Sequence, residues 1–157
     1  MLNLEGAQAG LSWSIVLAKR DEYKKAFRDF DIEYCLQLSD EELEKIRQDY
    51  NVIKNSAKIK AVRSNAAAVI QLKKDFGSFS DFLWSYVDFK PVVNSWETEG
   101  QMPAQSDLSE QISKDLKKRG FKFVGPVIIY SFLQAIGMVD DHIKTCPQHT
   151  ANRQTVK

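Results

Sequence analysis

Cysteine and histidine are scarce, two of each in 157 residues. Cys35 and Cys146 cannot build a disulfide framework, so a reducing, cytoplasmic setting is expected. Charge of one sign is not in excess either. The 22 Lys and Arg nearly balance the 21 Asp and Glu, so any nucleic-acid surface has to be a local patch rather than a whole-molecule field. No apolar run is long enough to cross a membrane. The longest, from Phe123 to Val139, is interrupted by Gly125, Pro126, Ser131, Gln134 and Gly137, and it reads as a buried helix. The first residues do not read as a signal peptide. Strand-like alternation is missing as well, which leaves an all-α fold in a single domain, 1–146. The polar, uncapped end, 147–157, is expected to be a disordered tail.

Helical periodicity fills the rest of the chain. Trp13, Val16 and Leu17 share a helical face, and Asp21 is expected to cap the next short helix, with Tyr23, Phe27 and Phe30 on one side. Asp31 starts a short turn. Ser39 and Glu42 form a capping box. Asn55 or Ser56 opens the longest helix, which runs to Phe76 and ends at Gly77. Phe82, Trp84 and Tyr86 follow as core aromatics. The segment from Lys90 to Ser106, broken by Pro91, Gly100 and Pro103, is irregular. Asp107 then opens a helix, with Glu110 three residues on. The segment from Val127 to Ile136 is apolar almost all round and is expected to be the central buried helix.

Three stretches carry candidate chemistry. In Leu4-Glu5-Gly6-Ala7-Gln8-Ala9-Gly10-Leu11-Ser12-Trp13 a lone carboxylate sits among small and apolar residues, beside an indole. Such a pair can read a flat heterocycle by stacking and hydrogen bonding, and it also suits a helix end with one solvated Glu and a core Trp. The chain enters this stretch without a capping residue, as if in mid-helix. In Lys117-Lys118-Arg119-Gly120-Phe121-Lys122-Phe123-Val124-Gly125-Pro126 a helix ends in three cations and a glycine-framed hairpin opens the next. Backbone N–H groups there suit one phosphate, although a tight turn with solvated lysines has the same pattern. Finally, His142 and Cys146 are four apart. One helical turn puts both on one face, as half of a zinc site, with Cys35 and His149 as the remaining candidates for ligands.

Together with Phe82-Leu83-Trp84-Ser85-Tyr86-Val87, Ser113-Lys114-Asp115-Leu116 leading into the hairpin, and Gly137-Met138-Val139-Asp140-Asp141-His142, these stretches resemble the DNA-3-methyladenine glycosylase I family of the helix-hairpin-helix superfamily, in register from Leu2 to about Cys146. The resemblance implies a helix-hairpin-helix glycosylase-like domain. It also implies an enzyme of base-excision repair that flips 3-methyladenine out of alkylated double-stranded DNA and hydrolyses its N-glycosidic bond. On that basis Glu5 is the catalytic and base-binding carboxylate, and Trp13 stacks on the base. Gly10 and Leu11 fill the gap left by the extruded nucleotide. Lys118, Gly120, Lys122 and Gly125 hold the DNA backbone, and His142 and Cys146 are two of the four ligands of a structural zinc. A cytoplasmic monomer is expected. The family also has a segment ahead of the position of Leu2, with a Cys and a His for the zinc and aromatic residues for the pocket, and no counterpart of it is found here. The alternative reading is therefore a non-catalytic helix-hairpin-helix DNA-binding module or an inactive, truncated fragment.

Overall fold

A computed structural model describes residues 1–153. Among these, nine α-helices follow in order: α1 (Leu2–Gln8), α2 (Trp13–Ala18), α3 (Arg20–Ala26), α4 (Ile32–Gln37), α5 (Asp40–Asp49), α6 (Ser56–Phe76), α7 (Phe79–Trp84), α8 (Asp107–Lys118) and α9 (Pro126–Ala135). The fold is all-α apart from one short parallel pair, β1 (Val92–Val93) with β2 (Val139–Asp140).

Side-chain caps fix most of the boundaries. Ser39 and Glu42 close the capping box that starts α5, Asn55 accepts from Lys58 N at the start of α6, and Ser78 accepts from Asp81 N at the start of α7. Each cap engages one of the N–H groups that a helix start leaves open. Three boundaries differ from expectation. Asp31 caps a full helix, α4, by accepting from Tyr34 N at 2.7 Å. α3 starts one residue before Asp21. α8 is opened by Ser106, which exchanges hydrogen bonds with Ser109, and not by Asp107 with Glu110.

Helix α6 is the spine of the molecule. Ile59, Val62 and Ala66 belong to a first core cluster with α1 to α5. Ala68 and Leu72, further along, belong to a second cluster with α7, α8 and α9. The expected central helix therefore has a narrower role. α9 buries Ile129, Tyr130, Phe132 and Leu133 in the second cluster, while Val127 remains 47% exposed. An apolar sequence all round does not secure burial all round once α6 already bridges both clusters. Leu17 likewise points outward, whereas Val16 is fully buried.

The end of the chain is ordered as far as it is described. His149 is buried and its Nε2 lies 3.0 Å from the carbonyl of Asn94. Thr150 N donates to Asp140 at 2.7 Å. The segment 147–153, expected to be disordered, is thus folded back on β2 through polar contacts that its composition does not announce. Residues 154–157 lie outside the described residues.

Candidate base pocket and nucleic-acid interface

Helix α1 places Glu5 in the interior, at 4% exposure. Burial raises its carboxyl above the usual range, and the attraction of the Met1 amino group only partly opposes this. No hydrogen-bond donor contributes to that balance, and no buried side-chain oxygen among the described residues lacks a partner, so the carboxyl oxygens of this largely buried residue keep some access to solvent. A carboxyl raised by burial and left open to an incoming donor is typical of a functional group. Gly10 turns the chain, with φ at 76° and Leu11 N bonded to the carbonyl of Gln8 at 2.6 Å. Leu11 stands at the tip, 38% exposed. Trp13 opens α2 and packs, half-buried, against the first cluster. Lys58 in α6 fixes the end of α1. Its Nζ donates to the carbonyls of Ala7 at 2.9 Å and Ala9 at 2.6 Å, where a cation also meets the negative end of the helix dipole.

The hairpin between α8 and α9 is built with equal care. Gly120 N bonds to the carbonyl of Lys117 and Phe121 N to that of Leu116, both at 3.1 Å. This is the two-bond Schellman closure, which needs a left-handed residue. Gly120 supplies it at φ 90°. Phe121 is then driven into the core. Ser113 Oγ donates to the carbonyl of Val124 at 2.6 Å and pins the far side. Gly125 has an ordinary φ of −62° and no side-chain cap. Its effect is to leave the first-turn N–H groups of α9 uncovered, a ready anion site.

The cations divide into two groups. Arg119 pairs with Asp75 at 2.8 Å and stacks over Phe76 at 4.7 Å, so it serves the packing. Lys117, Lys118 and Lys122 are exposed, with Lys118 only loosely paired to Asp115 at 3.6 Å.

Sequence reading missed Asn65, a buried residue in the apolar run of α6. Its Oδ1 accepts from Lys122 N at 2.8 Å, and its Nδ2 donates to Asn3 Oδ1 at 2.7 Å and to the carbonyl of Lys122 at 3.3 Å. The only local signal is an amide on the same helical face as Val62 and Ala66.

The His142 to Cys146 segment is not a helix. Asp140 accepts from His142 N at 3.2 Å, a local side-chain bond that competes with helix formation, and β2 holds the chain extended just before it. The Asp140 carboxylate also meets His142 Nδ1 at 2.6 Å, which leaves Nε2 free, the arrangement usual for a metal-bound imidazole. Burial would raise the Asp140 carboxyl, but hydrogen bonds from Thr150 and His142 outweigh it and hold it well below the usual range. His142 and Cys146 line one cleft. The other candidates do not join them. His149 has both ring nitrogens engaged, with Asn94 and Ala151. Cys35 is buried in the first cluster with its thiol pushed up to about 11, chiefly by burial. Among the described residues no group of three or more His, Cys, Asp or Glu can hold a metal ion. Two ligands do not fill a tetrahedral zinc site, so the residues described do not fit a structural zinc.

The chain matches the methyladenine glycosylase family over residues 1–149. It is similar to DNA-3-methyladenine glycosylase 1 of Escherichia coli (strain K12), at 42% identity over 153 residues, covering 98% of this chain and 82% of that protein. It is 41% identical over 148 residues to the DNA-3-methyladenine glycosylase of Haemophilus influenzae, covering 94% and 80%. Among solved structures it superposes on 3-methyladenine DNA glycosylase I from Staphylococcus aureus, a structure concerned with 3-methyladenine recognition. That match has a TM-score of 0.91 and 39% identity, over 94% of this chain and 79% of the other.

The buried Glu5 predicts a pH-dependent cost. Its carboxyl is raised on folding, so its contribution to stability is full below the unfolded value and is lost as pH rises through the folded one. Glu5→Gln should therefore gain stability over wild type as pH rises from 4 to 7, measured by urea denaturation across that range. A constant difference between the two proteins would show that Glu5 is solvated.

Proposed function

This chain belongs to the methyladenine glycosylase family, and we propose that it is a DNA-3-methyladenine glycosylase acting in base-excision repair. The observation that carries this reading is the buried, donor-free carboxyl of Glu5 on α1. A non-catalytic DNA-binding module has no reason to keep it.

Methylation at N3 makes the adenine cationic and weakens its bond to the sugar. The N9–C1′ bond breaks with its electron pair going to N9, and the base leaves as neutral 3-methyladenine. Water then bonds to C1′ and gives up a proton to solvent. No acid is needed at the leaving group, so the protein has to extrude, hold and orient. Glu5 accepts hydrogen bonds from the base, and its negative charge favours a cationic over a neutral one. Trp13 stacks on the ring. Leu11, exposed at the Gly10 turn, enters the space the base vacates, and extrusion costs least for a damaged base. Lys118 and Lys122, with the N–H groups around Gly120 and Gly125, hold phosphate without reading sequence. Double-stranded DNA is the proposed substrate, and the protein is proposed to act as a monomer in the cytoplasm. Among the described residues no helix is long and apolar enough to cross a membrane. No step runs through zinc, since His142 and Cys146 supply only two ligands.

Glu5→Gln is expected to lower single-turnover excision of 3-methyladenine about tenfold to a hundredfold, roughly 1–3 kcal/mol, and to flatten the acid limb of its pH profile. Trp13→Ala should do comparable damage. Wild-type excision no faster than the Glu5→Gln rate on alkylated duplex would reject the assignment. Replacing Lys118 and Lys122 together with Ala should weaken DNA binding alike across sequences and reduce the log–log salt slope by about 1.8. An unchanged slope would place the phosphate site elsewhere. Elemental analysis of the purified chain should find well under one zinc per molecule, and stoichiometric zinc would mean that further ligands complete the site.

A further inference from the structure

The seam between α1, α6 and the hairpin is tighter than packing alone requires. Asn65 takes both backbone groups of Lys122 and the side chain of Asn3. One residue beyond Lys122, Phe123 sits at a positive φ of 55°, an uncommon conformation for a bulky side chain. One residue before that contact on the other side, Gly6 follows Glu5. A Cβ on Gly6 would lie 3.1 Å from Phe123 Cβ and 3.1 Å from its carbonyl oxygen. The residues along this seam leave about 10 Å³ free, at the lower limit for a single water. Solvent is therefore a poor substitute for the Asn65 amide. The hairpin backbone and the backbone beside Glu5 are held to each other through one side chain and one close approach.

We infer that Asn65 is a positioning residue that couples phosphate binding at the hairpin to base binding at Glu5. This rests on the glycosylase reading above. A phosphate on the hairpin N–H groups stabilises one arrangement of residues 122–125, and Asn65 and Gly6 pass that arrangement to α1. Two sites linked in this way raise each other's affinity reciprocally.

The test measures the affinity of free 3-methyladenine with and without a duplex that carries a tetrahydrofuran abasic analogue. In wild type the duplex should tighten base binding on the order of tenfold, within the range usual for coupled sites. In Asn65→Asp, which keeps the acceptor for Lys122 N but loses both donated bonds, the factor should fall to about two or less. Asn3→Ala, which cuts only the α1 side and leaves α6 untouched, should lower it as well and covers the case in which the Asn65 variant fails to fold. A merely structural role would weaken binding in both conditions and leave their ratio unchanged. Wild-type coupling that persists in both variants overturns the inference while the glycosylase reading stands, as does excision by wild type with no coupling at all. Neither excision nor base binding by wild type overturns the glycosylase reading and this inference with it.

Discussion

At Gly6 the backbone of α1 comes so close to Phe123 that a Cβ would press on it, and the hairpin would have to give by a few tenths of an ångström. Much of the site's geometry depends on that approach. It lies next to Glu5 on one side and to Phe123, at a positive φ, on the other. Small residues around Gly6 make the approach possible. Lys58 then holds the far end of α1 by its last carbonyls, so the helix is fixed at both ends although it is only seven residues long.

The site is accordingly built from costly parts supported by ordinary ones. Burial disfavours the charged form of the Glu5 carboxyl, and a left-handed phenylalanine is uncommon. The Schellman closure at Gly120, the Ser113 bond to Val124 and the Arg119 stack on Phe76 are conventional stabilising devices placed around them. Arg119 also shows that a cation in a basic cluster can serve the packing. Its guanidinium fits a carboxylate and an aromatic face better than a lysine would, and the lysines on either side keep the outer surface.

Local signals in the sequence were reliable where one segment decides the outcome alone. The Ser39 box, the Asn55 cap, the Gly77 stop and the hairpin between α8 and α9 all stand as read. The sequence and the resemblance single out Glu5, and the structure adds its burial. What could not be read depends on partners far along the chain. Asn65 meets Lys122, 57 residues away. The segment after Val139 is extended because it pairs with Val92, and it turns away from helix at Asp140. A four-residue spacing alone carries none of that. The folded 147–153 segment is held by Asn94 and Asp140, and no periodicity betrays such contacts.

Asp141 is bonded by Asn94 at 2.6 Å, Trp96 at 2.7 Å and Gln134 at 2.6 Å. Beside it Asp140 receives Thr150. Two adjacent carboxylates thus gather the long irregular connection, the last turn of α9 and the final turns of the chain. Together with the β1–β2 pair, these bonds tie the connection and the described end of the chain to the edge of the second cluster. Segments ordered in this way open together. Acid that protonates the node should release the connection and the described end of the chain, whose amide protons then exchange together, while α9 stays held by its burial in the second cluster.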